Sequence, residues 1–149
     1  SGPIEIASDR AKAHGHPRTP TPHADPRPSD GRLRLLSPAS VWLMNDSYAN
    51  DAKVTEQLGE ATVALHPDDA AERGLKAGDP VTLSNETGSL ALALAISDII
   101  PRGTALSHKG RWPKREGPRA NVNVLNPGIK TDMGESTSVH GVEVTVSRA

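Results

Sequence analysis

Large apolar residues recur with period two over residues 90–96, where Leu90, Leu92, Leu94 and Ile96 alternate with Ala91, Ala93 and Ala95. Alternation places the large side chains on one face of a strand and the alanines on the other, which suits close packing on both sides. Shorter runs of the same kind predict strands over 32–36, 62–65, 81–83, 104–107 and 142–146. Between them, Pro67 opens a helix over 67–73, because its missing N–H costs nothing in a first turn. Asp68 and Asp69 follow, where carboxylates favour the positive end of the helix, and Gly74 ends it in a left-handed conformation. Residues 85–88 read as a hairpin turn, 39–50 as loop with a short helix, and 109–118 as a basic loop broken by Gly and Pro. Residues 121–126 touch the sheet. The expected architecture is a mainly β, closed or nearly closed barrel of about six or seven short strands, with one or two short helices and long loops. Those loops are where function is expected.

The first part of the chain follows another pattern. Prolines at 17, 20, 22, 26 and 28 remove donors and fix φ, so residues 1–31 read as a proline-rich linker from a preceding domain, begun by a Ser1-Gly2 cloning scar. A short strand over 4–6 and one helical turn over 8–13 are its only regular elements, and the segment is expected to be mobile. The ordered domain covers 32–149.

Composition narrows the chemistry. Aromatics are 2% with no Phe, which excludes a large cavity walled by rings. No Cys is present, which excludes disulfides, thiolate metal sites and a cysteine nucleophile. A formal net charge of −1 creates no general attraction for nucleic acid or membrane. No stretch reads as a transmembrane helix or signal peptide, and the cytoplasm is the favoured compartment. His14 and His16 are too few for a metal site. Asp68, Asp69 and Glu72 read as helix-start and surface charges rather than paired catalytic carboxylates.

Three stretches carry a resemblance. His66-Pro-Asp-Asp-Ala-Ala-Glu-Arg-Gly-Leu-Lys-Ala-Gly-Asp-Pro-Val-Thr-Leu83 resembles the helix–turn–strand unit of double-psi β-barrels. Leu36-Ser37-Pro38-Ala39-Ser40, followed by Asn45-Asp46-Ser47-Tyr48-Ala49-Asn50, resembles a motif of the dimethyl-sulfoxide-reductase family of molybdopterin oxidoreductases, near the start of its dinucleotide-binding domain. Asn123-Val124-Leu125-Asn126 and Thr131-Asp132-Met133-Gly134 fit the closing segment of the same family. Two departures stand out. The metal-ligating residue of such enzymes lies in another domain, and Tyr48 stands where Phe is commoner.

The resemblance implies a C-terminal domain that holds part of a molybdopterin guanine dinucleotide, with molybdenum or tungsten, against the remaining domains of a parent enzyme such as a formate dehydrogenase or nitrate reductase. By itself the chain would be an inactive monomer. The cofactor contacts it implies are Ser37, Pro38, Ala39, Ser40, Asn45, Ser47, Lys109 and Asn123, with Asn121 in place of Asn123 if the register is displaced by two. Hydroxyls, amides and backbone N–H groups suit a diphosphate and the polar edges of a pterin. Lys109, Arg111, Lys114 and Arg115 around Trp112 form either a rim that attracts phosphate or a solvated loop against another domain. His140 is a weaker candidate, and Asn50 is structural. These scattered residues must converge on one rim, around a shallow groove open on one side. The rival reading is a peptide- or adaptor-binding barrel like the N-terminal domains of AAA ATPases, which needs an exposed apolar groove. A self-sufficient small enzyme finds no acid/base pair or nucleophile to support it.

Overall fold

In a computed structural model, the structure describes residues 2, 4–22, 26–117, 121–131, 134–137 and 141–149. Six strands close into a barrel: β1 (Leu33–Leu36), β2 (Thr62–Leu65), β3 (Pro80–Ser84), β4 (Ser89–Ile96), β5 (Thr104–Leu106) and β6 (Glu143–Arg148), in the order β1-β5-β2-β4-β3-β6. Two neighbouring pairs, β1 with β5 and β2 with β4, run parallel, and the other four run antiparallel. This is the double-psi barrel that the helix–turn–strand unit implies.

The period-two pattern is the reason the barrel closes. Leu90, Leu92 and Leu94 of β4 are buried with Leu33 and Leu35 of β1, Val63 and Leu65 of β2, Val81 and Leu83 of β3, and Val144 and Val146 of β6. Across the pleat, the alanines of β4 stay half-buried or exposed.

Helix α3 (Pro67–Glu72) starts with His66, whose Nδ1 accepts from the N–H of Asp68 at 3.1 Å. It is followed by Gly74 at φ 63°, the left-handed conformation expected of it. One assignment on this helix is corrected. Asp69 is not a surface charge: it is 4% exposed, and its carboxylate accepts from the N–H of Gly103 at 2.7 Å. It ties the helix to the turn before β5, with Arg102 nearby. Removing it in Asp69→Ala leaves that N–H without its acceptor and should cost about 1–3 kcal/mol in urea unfolding. Exposed Asp68→Ala should stay within about 0.5 kcal/mol. Equal effects of the two substitutions would refute the tie.

Two further expectations are corrected. Residues 4–6 form no strand, since Ile4 and Ile6 are exposed and find no partner strand. No helix forms within 39–50; the helix lies later, at α2 (Ala52–Leu58). Asp51 caps it, accepting from the N–H groups of Lys53 and Val54. With no buried residue, α2 lacks the apolar stripe that marks a helix in sequence. The single helical turn near the N-terminus is present as α1 (Asp9–Ala13), capped by the Ser8 hydroxyl.

The end of the proline-rich segment touches the barrel. Ser29 donates through its N–H and hydroxyl to the Glu143 carboxylate, and Arg34 donates to the carbonyl of Pro26 at 2.6 Å. Hydrogen bonds from Ser29 hold the Glu143 carboxyl below its usual range. Arg32 pairs with Glu86 and lowers its pKa to about 2.

Candidate functional site

Strand register sorts the loops between the two ends of the barrel. Leu36 lies beside Leu106, so parallel strands β1 and β5 end together, at Ser37 and Ser107. β2 runs antiparallel to β5, so its first residue, Thr62, reaches the same end; the Ser107 hydroxyl donates to the Thr62 carbonyl at 3.0 Å. β4 runs parallel to β2 and begins beyond this end, which brings the 85–88 hairpin there too. A 3₁₀ turn, Val122–Leu125, packs over that hairpin with Val122 and Leu125 buried, and the Asn85 amide donates to the Leu125 carbonyl at 2.7 Å. Ser37 and Asn123 therefore lie at one end of the barrel. The Asp69–Arg102 cluster lies at the other.

A cleft of about 360 Å³ opens at this end. Ala39, Ser40, Val41 and Trp42 form one wall, Gln57, Leu58, Glu60, Ala61 and Thr62 another, and Ser107, His108, Lys109 and Arg111 the third. The first and third walls are continuations of the parallel pair. Lys109 N–H donates to the Pro38 carbonyl at 3.0 Å, and Ala39 bridges to Lys109 in parallel. The pairing that holds β1 to β5 thus extends into the loops and fixes Ser40 beside Lys109.

Three of the basic-loop side chains are engaged internally, which corrects the picture of a solvated loop. Arg111 pairs with Glu116 and donates to the carbonyls of Leu58 and Gly59, at the C-terminal end of α2. The Arg115 guanidinium donates to the Ala49 carbonyl at 2.8 Å, and the Trp112 indole donates to the Asp46 carbonyl. Together they bind the 109–117 loop to the 39–50 loop and to α2. Lys109 lines the cleft, and its ammonium has no ion pair among the described residues.

The expected site residues separate into groups. Ala39, Ser40 and Lys109 line the cleft. The Ser40 hydroxyl accepts from the N–H of Trp42 at 3.2 Å and keeps its own proton to donate. Pro38 lends its carbonyl to the loop. Ser37 is 8% exposed, at the point where β1 passes into the loop. Asn45 and Ser47 are exposed on the same loop but do not line the cleft. Asn123 is exposed on the 3₁₀ turn, whereas Asn121 caps that turn by accepting from the N–H of Asn123 at 2.9 Å. A second hollow, of about 380 Å³, joins Asn121 to Asp46, Trp112 and Lys114 and shares Arg111 with the cleft. His140 and the 132–133 part of the closing motif lie outside the described residues.

Sequence reading missed Gln57, Glu60, Thr62, Ser107 and His108 as cleft residues. The signal for the first two was Asp51 before a run of good helix formers. His108 had only its position beside Lys109. Among the described residues no group of three or more His, Asp or Glu could hold a metal ion, and no helix is long and apolar enough to cross a membrane.

The model of the family described as the molydopterin dinucleotide binding domain matches residues 33–142. A probable oxidoreductase, YoaE, of Bacillus subtilis is 24% identical over 99% of this chain, which spans 22% of that protein. Biotin sulfoxide reductase of Cereibacter sphaeroides is 35% identical over 74% of this chain, which spans 16% of it. Among solved structures, acetylene hydratase from Pelobacter acetylenicus superposes over 98% of this chain and 23% of its own, with a TM-score of 0.84 at 17% identity, a likeness of fold.

Proposed function

The chain belongs to the molydopterin dinucleotide binding domain family, and from that premise we propose that its cleft holds one side of a molybdopterin guanine dinucleotide, with molybdenum or tungsten, inside a larger oxidoreductase. The observation that carries the reading is the bridge of Ala39 to Lys109, which continues the β1–β5 pairing into the loops and brings Ser40 and Lys109 into the lining of one cleft. The donor set fits such a group. Lys109 supplies a cation for phosphate, Ser40 a hydroxyl donor, and Gln57 and Glu60 supply acceptors for the N–H edges of a pterin or guanine. No acid/base pair or nucleophile is required of this chain, because the metal and its pterin supply the redox chemistry when bound. The domain's task is to hold, orient and shield.

This reading keeps the isolated chain monomeric and without turnover, since the remaining domains must complete the pocket. The adaptor-barrel alternative has less support, because the matched family covers the polar loops around Ser37 and Asn45 for which that alternative has no use.

The test is cofactor retention in the parent enzyme. Lys109→Ala should weaken retention and make what remains less sensitive to salt, as loss of one phosphate contact does. Asn123→Ala should cost about 1–3 kcal/mol if a partner on the cofactor is left buried and unsatisfied. Metal and guanine nucleotide released per chain, measured after dialysis at two salt concentrations, give both results. Wild-type retention in both variants would overturn the assignment.

A further inference from the structure

Helix α2 supplies one wall of the cleft, through Gln57 and Leu58, yet it buries no residue of its own. Its seven residues cannot hold a helix by backbone bonding alone, since isolated helices shorter than about 12 residues are marginal in water. Tertiary contact must fix it, and apolar burial does not supply that contact. The Thr55 hydroxyl ties its beginning, donating to the carbonyls of Ala49 and Asp51. Arg111 ties its end, donating to the carbonyls of Leu58 and Gly59 at 3.2 and 3.0 Å, where a cation also meets the negative end of the helix. Among the described residues no other side chain donates to these two carbonyls.

The Arg111 side chain is only 10% exposed, and the short helix α4 (Pro113–Glu116) folds the loop back so that Glu116 pairs with the same guanidinium. A planar guanidinium can meet a carboxylate and two carbonyls at once. The stretch it holds has open space on two sides. Glu60, Ala61 and Arg111 line the cleft, and they also line a hollow of about 390 Å³ whose surface continues onto Pro80, Ala91 and Leu92. A wall between two open spaces is set by its ties rather than by packing.

We propose that Arg111, held by Glu116, is a positioning residue of the cleft: it sets the α2 wall at its distance from Ser40 and Lys109 and so fixes the width of the cofactor site. The inference rests on the function proposed above for the cofactor and assigns what holds the wall. Arg111 acts through the wall and not by contact with phosphate, because both terminal nitrogens of its guanidinium are engaged, Nη1 by Glu116 and Nη2 by Leu58 and Gly59.

Hydrogen exchange and cofactor retention test this, both measured in the parent protein produced from its complete reading frame. In Arg111→Ala, exchange across residues 52–60 should rise about tenfold and retention should fall about tenfold, as expected for lost hydrogen bonds from a charged group. Retention should keep its wild-type sensitivity to salt, unlike Lys109→Ala, since no phosphate contact is lost. Glu116→Ala should move both readings in the same direction, and it carries them if Arg111→Ala does not fold. Arg111→Lys should recover little, because an ammonium lacks the fork. Arg102→Ala, which breaks a pair with Glu72 at the opposite end of the barrel, should leave both readings at wild type. Unchanged exchange across 52–60 in both Arg111→Ala and Glu116→Ala would overturn the proposal, as would full recovery by Arg111→Lys. Faster exchange with wild-type retention, in a parent that holds the cofactor, would show that the wall does not set the site and would overturn it as well. A weaker salt dependence in Arg111→Ala, with retention gained in Glu116→Ala, would make Arg111 a phosphate ligand, overturning the positioning role while leaving the proposed function standing. Faster exchange in a parent found to hold no pterin cofactor would keep Arg111 as the tie of the wall and remove the function.

Discussion

Leu83→Ala should destabilise this domain by about 2–5 kcal/mol in chemical unfolding, a large share of the roughly 5–15 kcal/mol that holds a domain together. Leu83 is 0% exposed and lies in β3, which pairs with β4 on one side and β6 on the other. Truncation removes apolar contact with both neighbours and leaves a cavity that a closed barrel cannot collapse to fill, because its strands are held by pairing around the ring. The informative comparison is Val41→Ala. Val41 is as apolar as many core residues but exposed, so its loss should change stability by less than about 0.5 kcal/mol. A loss of stability at Val41 similar to that at Leu83 would contradict the division between the core and the exposed loop.

Gly110→Ala should damage the site more than the barrel. Gly110 has φ +105°, and an added Cβ would lie 2.0 Å from the Asn45 carbonyl oxygen and 3.1 Å from Leu43 Cδ1. The conformation alone disfavours any side chain by about 1–3 kcal/mol. The overlap is with backbone, so no rotamer change relieves it, and one of the two loops must move. Ser40 and Lys109 would then separate, and cofactor retention in the parent should fall by about tenfold or more, the equivalent of about 1.4 kcal/mol. Amide chemical shifts should change in 39–50 and 109–117, while hydrogen-exchange protection of the six strands stays near wild type. Unchanged shifts in both loops, with full retention, would show that the close approach is not what sets the cleft.

The same two positions show what was legible before any fold was seen. Leu83 could be placed in a core because its strand alternates and has a turn at each end. Gly110 could not be placed, since a glycine beside Lys109 reads as an ordinary loop residue until the Asn45 carbonyl appears against it. Asp69 was read as a helix-start charge, which its position in the first turn supports. Its burial depends on the Gly103 N–H, far along the chain, and no local pattern carries that. Helix α2 escaped notice for the opposite reason. Its cap is local, but its residues bury nothing, so the periodicity that reveals most helices is missing.

Alternation, proline and glycine punctuation, and the motifs at 36–50 and 66–83 determined by themselves the strands, the main helix, the barrel class and the polar loops in which the candidate site lies. These are properties of neighbouring residues, and short-range sterics and apolar period express them directly. Only the tertiary structure decided which polar residues share the cleft, that Arg111, Trp112 and Arg115 serve as internal ties, and that Val41, Trp42, Met44 and Tyr48 face outward. Those outcomes depend on the register of parallel pair β1 and β5 and on contacts between loops remote in sequence. Ring closure sets them, because it fixes which loop ends meet, and no single segment contains that information.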